Sequence, residues 1–266
     1  MSVRIKYCDF PNGVITPVSS KSISNRALVI KALTNGNCNL INLSQSEDTN
    51  TLVELLRKIK SSDNKIELST GAAGTVMRFL ITYCCLSGKE IVLTGNERML
   101  ERPVKNLIDA LKKIGAKIEC AGKEGFAPLI ISPSKITGGK IELDASISSQ
   151  FISSLLLCAP YFANGIEITL VGSIVSSSYI ELTIHVMKQF GVEVFYKDNV
   201  IKVSNGSYTP TDFTVEGDWS SASYFYSLAA LSNRAEIELC GMNLNSLQGD
   251  MAILPISSGF GFETSA

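Results

Sequence analysis

One histidine and one tryptophan stand in 266 residues, and no two cysteines form a Cys-x-x-Cys pair. Zinc takes its ligands from His and Cys clusters, so no structural or catalytic zinc site is expected. The lone His185 falls in the helical pattern from Ile180 to Phe190. It reads as a helix-surface or packing residue, not a general base, and Ser-His-Asp chemistry has no other support. Excess charge is also lacking: the net charge is −1, which argues against a duplex-binding protein that needs a strong positive field. A locally basic pocket stays open. No apolar run reaches the length of a membrane span. The most apolar stretch, Phe151 to Val171, is broken by Ser153, Ser154, Pro160, Asn164 and Glu167. Near the start, Arg4, Lys6 and Asp9 interrupt any signal-peptide pattern. The seven cysteines are odd in number and mostly in apolar stretches, so they are expected to be reduced and buried, as in a cytoplasmic protein. No nucleic-acid or membrane partner is expected.

What the chain does have is apolar content, 45% of its residues, and a repeat. A small-residue turn starts an apolar helix; a Gly or Asn turn, a short strand, a second helix and a Gly stop follow. Starts fall at Ser22, Thr75, Ser149 and Ser221, spaced by 53, 74 and 72 residues. The first copy is therefore shortened, by loss of its terminal hairpin. Expected second helices are Asp48 to Ile59, Pro103 to Ile114 and Tyr179 to Phe190; expected strands are Cys38–Asn42, Glu90–Leu93, Ile166–Leu170 and Ala235–Leu239. Ile/Val-rich strands and Gly-terminated helices give an α/β reading with mixed pairing. The first helix of each copy is apolar on nearly every side, which predicts burial all round. The fourth copy has no completing helix and strand: Pro255 to Ala266 reads as a tail or an early stop, and truncation of a longer protein is the expectation.

The densest chemistry lies in Ser20-Lys21-Ser22-Ile23-Ser24-Asn25-Arg26-Ala27. It sits where an extended segment becomes a helix. Arg26 follows Ser22 by about one helical turn. A helix N-terminus offers free N–H groups and a positive dipole end. Adding Lys21, Ser22 and Arg26 makes a site for a small, multiply charged anion.

With Gly74-Thr75-Val76-Met77-Arg78, Glu101-Arg102-Pro103, Ser148-Ser149-Gln150-Phe151, Gly217-Asp218, Ser220 to Phe225 and Ser246 to Asp250 in order, the chain resembles the 5-enolpyruvylshikimate-3-phosphate synthases, the 3-phosphoshikimate 1-carboxyvinyltransferases. The resemblance implies an inside-out α/β barrel of repeated βαβαββ units around buried helices. It implies one complete domain over 14–216, and residues 1–13 with 217–266 as an incomplete part of a second. It implies transfer of the enolpyruvyl group of phosphoenolpyruvate to the 5-hydroxyl of shikimate 3-phosphate, in the shikimate pathway to the aromatic amino acids, with release of phosphate. Neither a cofactor nor a metal is implied. Such chemistry needs anion clamps, positioning and acid–base groups.

Carried over by the resemblance, Ser22 and Arg26 contact shikimate 3-phosphate, with the Arg26 guanidinium fork on its carboxylate. Ser148, Ser149 and Ser176 hold its phosphate, Tyr179 lies near its ring, and Gln150 sits between the substrates. Lys21, Gly74 and Arg102 contact phosphoenolpyruvate, and Lys21, Arg102 and Gln150 are the catalytic candidates. Arg78, one turn after Gly74, is left out of this set, with structural pairing as its reading. The chain departs from the family at Val18-Ser19 where Pro-Gly is usual, at Ala72 where Asn is usual, and at Ser177-Ser178 where Lys-Pro is usual. The family's catalytic aspartate and Lys-Glu pair belong to the second half of the other domain, so this chain alone is expected to be inactive. The full-length enzyme is expected to be monomeric, and exposed apolar surface around Tyr224 to Leu231 would let the shorter chain self-associate. Two alternatives stand beside this one: a UDP-N-acetylglucosamine enolpyruvyl transferase, and a non-enzymatic anion-binding module.

Overall fold

The computed structural model describes residues 8–265. It opens with β1 (Asn12–Ile15), α1 (Lys21–Leu33), β2 (Leu40–Ile41) and α2 (Glu47–Ser61). The second repeat is β3 (Lys65–Ser69), α3 (Gly74–Leu86), β4 (Glu90–Thr94), the short α4 (Glu97–Leu100), α5 (Lys105–Lys113), β5 (Lys117–Cys120) and β6 (Leu129–Ser132). The third is β7 (Gly139–Asp144), α6 (Ser149–Cys158), β8 (Ile166–Val171), α7 (Ser177–Gln189), β9 (Val194–Lys197) and β10 (Val200–Val203). Last come β11 (Phe213–Thr214), α8 (Trp219–Ala230), β12 (Glu236–Leu239) and α9 (Ile253–Ser258).

The repeat is visible in the sheets. One has the order β3-β4-β6-β5 and another β7-β8-β10-β9. In each, the first pair is parallel and the other two are antiparallel. The shortened first copy contributes only β2, which pairs in parallel with β11. β2 is shorter than expected. At Asn39 the backbone N–H turns to the Asp212 carboxylate, 2.8 Å away, instead of a strand partner.

α1, α3 and α6 pack on one another inside the sheets, and every residue of α6 except Gln150 is buried. The outer helices are one-sided: α2 buries Leu52, Leu55, Leu56 and Ile59, and α5 buries Leu107, Ile108, Ala110 and Leu111. That spacing puts the apolar stripe of each on the core. α5 ends where expected because Gly115 adopts φ 105°, open to glycine at no steric cost. One contiguous apolar core runs from Ile23 to Val215.

Two stretches of backbone, 18–20 and 216–218, run side by side. Ser20 N–H donates to the Glu216 carbonyl at 3.0 Å and Asp218 N–H to the Val18 carbonyl at 2.8 Å. Residue 14, the expected boundary, lies inside β1, and all four residues of β1 pair in parallel with β12. After residue 218, only Trp219 and Ala222 are buried apolar residues among those described. The expected tail from Pro255 starts inside α9, which ends at Ser258; Pro255 falls in its first turn, where its missing N–H costs nothing. Cys38, Cys84, Cys85 and Cys158 are buried as expected, but Cys8 is exposed and Cys120 and Cys240 are partly so. Cys120 packs against the edge of the apolar core, and Cys8 and Cys240 lie outside it. No helix among the described residues is long and apolar enough to cross a membrane.

Candidate anion-binding site

Helix starts converge on one polar cleft of about 360 Å³. α3 begins on Ala73, which has no side-chain oxygen to cap it. Its first-turn N–H groups are therefore available to a ligand. α6 begins on Ser148, whose hydroxyl accepts from the Gln150 N–H at 3.3 Å. The loop after β4 brings in Arg102. That loop is fixed to the α3 approach by Asn96 N–H donating to the Gly71 carbonyl at 3.0 Å, and by the Asn96 side chain capping α4.

Of the residues predicted for the site, Lys21, Gly74, Arg102, Ser148 and Gln150 line this cleft. Asp48, Thr75 and Arg78 join them. Lys21 Nζ stands 3.5 Å from Asp48 Oδ2. Arg78 and Arg102 form no ion pair among the described residues. Burial, and then the neighbouring Arg102 charge, bring the Arg78 guanidinium down to about 10. Arg78 lies over the Phe151 ring, 5.6 Å from its centroid, and its Nε is buried with no hydrogen-bond partner. Gln150 donates from Nε2 to Thr75 Oγ1 at 3.2 Å, while its buried Oε1 has no partner. Two cations without carboxylates beside unused polar atoms suit a compact anion.

Arg78, read from sequence as a structural partner, lines the cleft beside Arg102. Its spacing of one turn from Gly74 put it on the cleft face, and that signal was available. Asp48 had no comparable signal; only the packing of α1 against α2 brings it to Lys21.

Ser22, Arg26, Ser149, Ser176 and Tyr179 do not line this cleft. Ser149 is buried, and Ser176 is exposed with φ 55° at the start of α7. The approaches to α6 and α7 are joined by Val175 N–H donating to the Ala145 carbonyl at 3.2 Å. Arg26 is only 2% exposed. Its Nε donates to Thr183 Oγ1 at 2.7 Å, Nη1 to the Ser22 carbonyl at 2.8 Å, and Nη2 to Ser153 Oγ and the Tyr179 carbonyl, both at 3.2 Å. A guanidinium has five N–H groups, so these four bonds leave one, on Nη1. The two-pronged carboxylate grip expected of Arg26 is therefore not free in this arrangement. Burial brings Arg26 down to about 10, against a smaller opposing effect of Tyr179.

A family model described as EPSP synthase (3-phosphoshikimate 1-carboxyvinyltransferase) matches residues 11–68 and 61–264. The 3-phosphoshikimate 1-carboxyvinyltransferase of Bacteroides fragilis (strain YCH46) is 45% identical over 233 residues, covering 87% of this chain and 56% of its own length. That of Vibrio vulnificus (strain YJ016) is 40% identical over 264 residues, covering 90% and 61%. The solved EPSP synthase of Acinetobacter baumannii superposes with a TM-score of 0.76 at 23% identity, over 88% of this chain and 56% of that one. At that identity the likeness speaks for the fold. The chain spans 56% and 61% of the lengths of these two curated relatives. On its ordered motifs, its repeated sheets and these matches, the chain belongs to the EPSP synthase family.

Proposed function

We propose that this chain carries the shikimate 3-phosphate site, and one wall of the phosphoenolpyruvate site, of an enolpyruvyl transferase. The observation that supports this most is the convergence of unpaired Arg78 and Arg102 on Gly74 in a polar cleft. The reaction protonates the methylene carbon of phosphoenolpyruvate and joins its C2 to the 5-hydroxyl oxygen of shikimate 3-phosphate, which gives up its proton. Phosphate then leaves from C2 and a methyl proton is lost, which restores the enol ether.

In this reading Lys21, Arg78 and Arg102 hold the phosphoenolpyruvate anion at the start of α3. Gly74 gives it backbone access, and Gln150 lies between the two substrates. Ser148, Ser149 and Ser176 take the 3-phosphate, and Ser22, Arg26 and Tyr179 the shikimate ring and carboxylate. Fixed donors at developing negative charge are the usual source of rate in such sites. No cofactor enters. The fold belongs in this reading to an inside-out barrel, with the unit between 18–20 and 216–218 complete and the segment around β1, α8 and β12 forming part of a second.

Calorimetric titration of the chain with shikimate 3-phosphate, then with phosphoenolpyruvate on the binary complex, tests this. Saturable binding of the first is expected, with Arg102→Ala weakening the second by about tenfold or more. Binding of a uridine diphosphate sugar with none of shikimate 3-phosphate would overturn it.

A further inference from the structure

Among the described residues Arg26 is a buried cation with no carboxylate partner, and what replaces the carboxylate is a pair of hydroxyls. Thr183 Oγ1 is fully buried and takes the Arg26 Nε bond at 2.7 Å. It sits 2.8 Å from Ser153 Oγ and donates its own proton to the Tyr179 carbonyl at 2.7 Å. A hydroxyl has one proton. With the Thr183 proton on Tyr179, the bond to Ser153 must run from Ser153 Oγ–H to Thr183 Oγ1. Ser153 Oγ then accepts from Arg26 Nη2 at 3.2 Å. Every donor direction in the cluster is thereby fixed, and no member is free to rotate.

This cluster spans α1, α6 and α7. It ties the guanidinium to the backbone of Tyr179, a residue 39% exposed whose ring centroid lies 5.8 Å from Arg26 Cζ. The bonds occupy the Nε and Nη2 side of Arg26 and leave its free N–H on Nη1, beside the Ser22 carbonyl. We infer that Thr183 and Ser153 are positioning residues that aim Arg26 and Tyr179 at the carboxylate of bound shikimate 3-phosphate. This rests on the proposed shikimate 3-phosphate site and deepens it. A hydroxyl pair serves where a carboxylate would fail: a carboxylate would neutralise Arg26 and compete with the ligand for it, whereas hydroxyls orient the charge without cancelling it.

The test compares the 266-residue chain with its Thr183→Val, Thr183→Ser and Ser153→Ala variants by calorimetry. The ligands are shikimate 3-phosphate and its carboxamide, which keeps ring and phosphate but lacks the negative carboxylate. Thr183→Val preserves side-chain volume, and melting temperature confirms that each variant folds. Thr183→Val is expected to weaken the acid by about tenfold and the amide by less than about twofold, with Thr183→Ser restoring the acid. Ser153→Ala is the second route should Thr183→Val not fold, and a loss confined to the acid is expected there too. Equal affinity of parent and both variants for the acid, or equal losses for acid and amide, overturns the positioning role alone. A parent chain that binds neither ligand overturns the proposed site and this inference together.

Discussion

A Cβ on Gly74 would overlap the Nη1 atom of Arg102, and would also come within 2.7 Å of Arg78 Nη1. Gly74 opens α3 and has no left-handed backbone, so alanine suits the helix there and is favourable by about 1 kcal/mol. The displaced atoms are the far ends of two flexible side chains, so making room is cheap for the fold. For the site it is not, since both guanidiniums leave the place where they meet. Gly74→Ala is expected to keep or raise the melting temperature while weakening binding of phosphoenolpyruvate by about tenfold. Thermal unfolding and titration on one protein sample check both halves; unchanged affinity would contradict the clamp.

The Arg26 cluster predicts the same separation of stability from binding. Burial lowers this guanidinium to about 10, so it stays charged at neutral pH but keeping that charge costs the fold stability relative to the unfolded chain. Arg26→Met keeps most of the volume and removes that burden, while Thr183 and Ser153 still bond each other and the Tyr179 carbonyl. Folding stability in urea is expected to change by no more than about 1 kcal/mol. Arg26→Ala leaves a hole instead and is expected to cost about 2–4 kcal/mol. Shikimate 3-phosphate binding should be lost in both. A Met variant that unfolds would show that the guanidinium bonds outweigh the burial.

What was legible in the sequence and what was not divides by contact distance along the chain. The starts of α3 and α6 follow from local small-residue signals and apolar runs, and so does the stop at Gly115. The shortened first copy was readable from the spacing of Ser22 and Thr75. The cleft residues from the α3 and α6 starts were readable too, because each sits in the first turns of a repeated helix. The partners of Arg26 were not. Ser153 and Thr183 lie 127 and 157 positions away, inside apolar helices where a hydroxyl gives no sign of its bond. A buried Arg26 bonded on four sides is a product of three helices crossing. The repeat predicts that such helices are buried, not which polar atoms meet between them.

The cysteine cluster makes alkaline pH a probe of the core. Burial pushes the Cys84 and Cys158 thiols well up, and Cys85 to about 12. Unfolded thiols ionise near ~8.5. The folded pKa is raised, so the stabilisation is complete below that value and is lost as pH climbs toward the folded values. The folded chain holds protons the unfolded one has released, so stability falls with pH at about 1.4 kcal/mol per unit for each thiol. Arg26 and Arg78 oppose this only above about 10, where the folded state sheds their protons first. The urea midpoint should therefore drop steeply between pH 9 and 10. Cys158→Ala should lower that slope by about one third; a slope that does not change would place the thiols in water.

The last expectation concerns the segment after residue 218. α8 matches α1, α3 and α6 in the repeat, yet it buries only Trp219 and Ala222. Tyr224 is 76% exposed, Leu231 89% and Phe260 79%. Apolar surface of this extent is a binding surface for any hydrophobic probe. The chain is expected to enhance the fluorescence of an anilinonaphthalene dye at neutral pH while remaining folded by near-ultraviolet circular dichroism. Each of these side chains touches little, so Leu231→Ser and Phe260→Ser should cost no more than about 0.5 kcal/mol. The double variant should lose most of the dye signal with its melting temperature unchanged. Dye binding that survives it would move the probe's site to the groove between α7 and Asn243–Leu247, where Ile23, Leu182 and Phe213 supply the apolar lining.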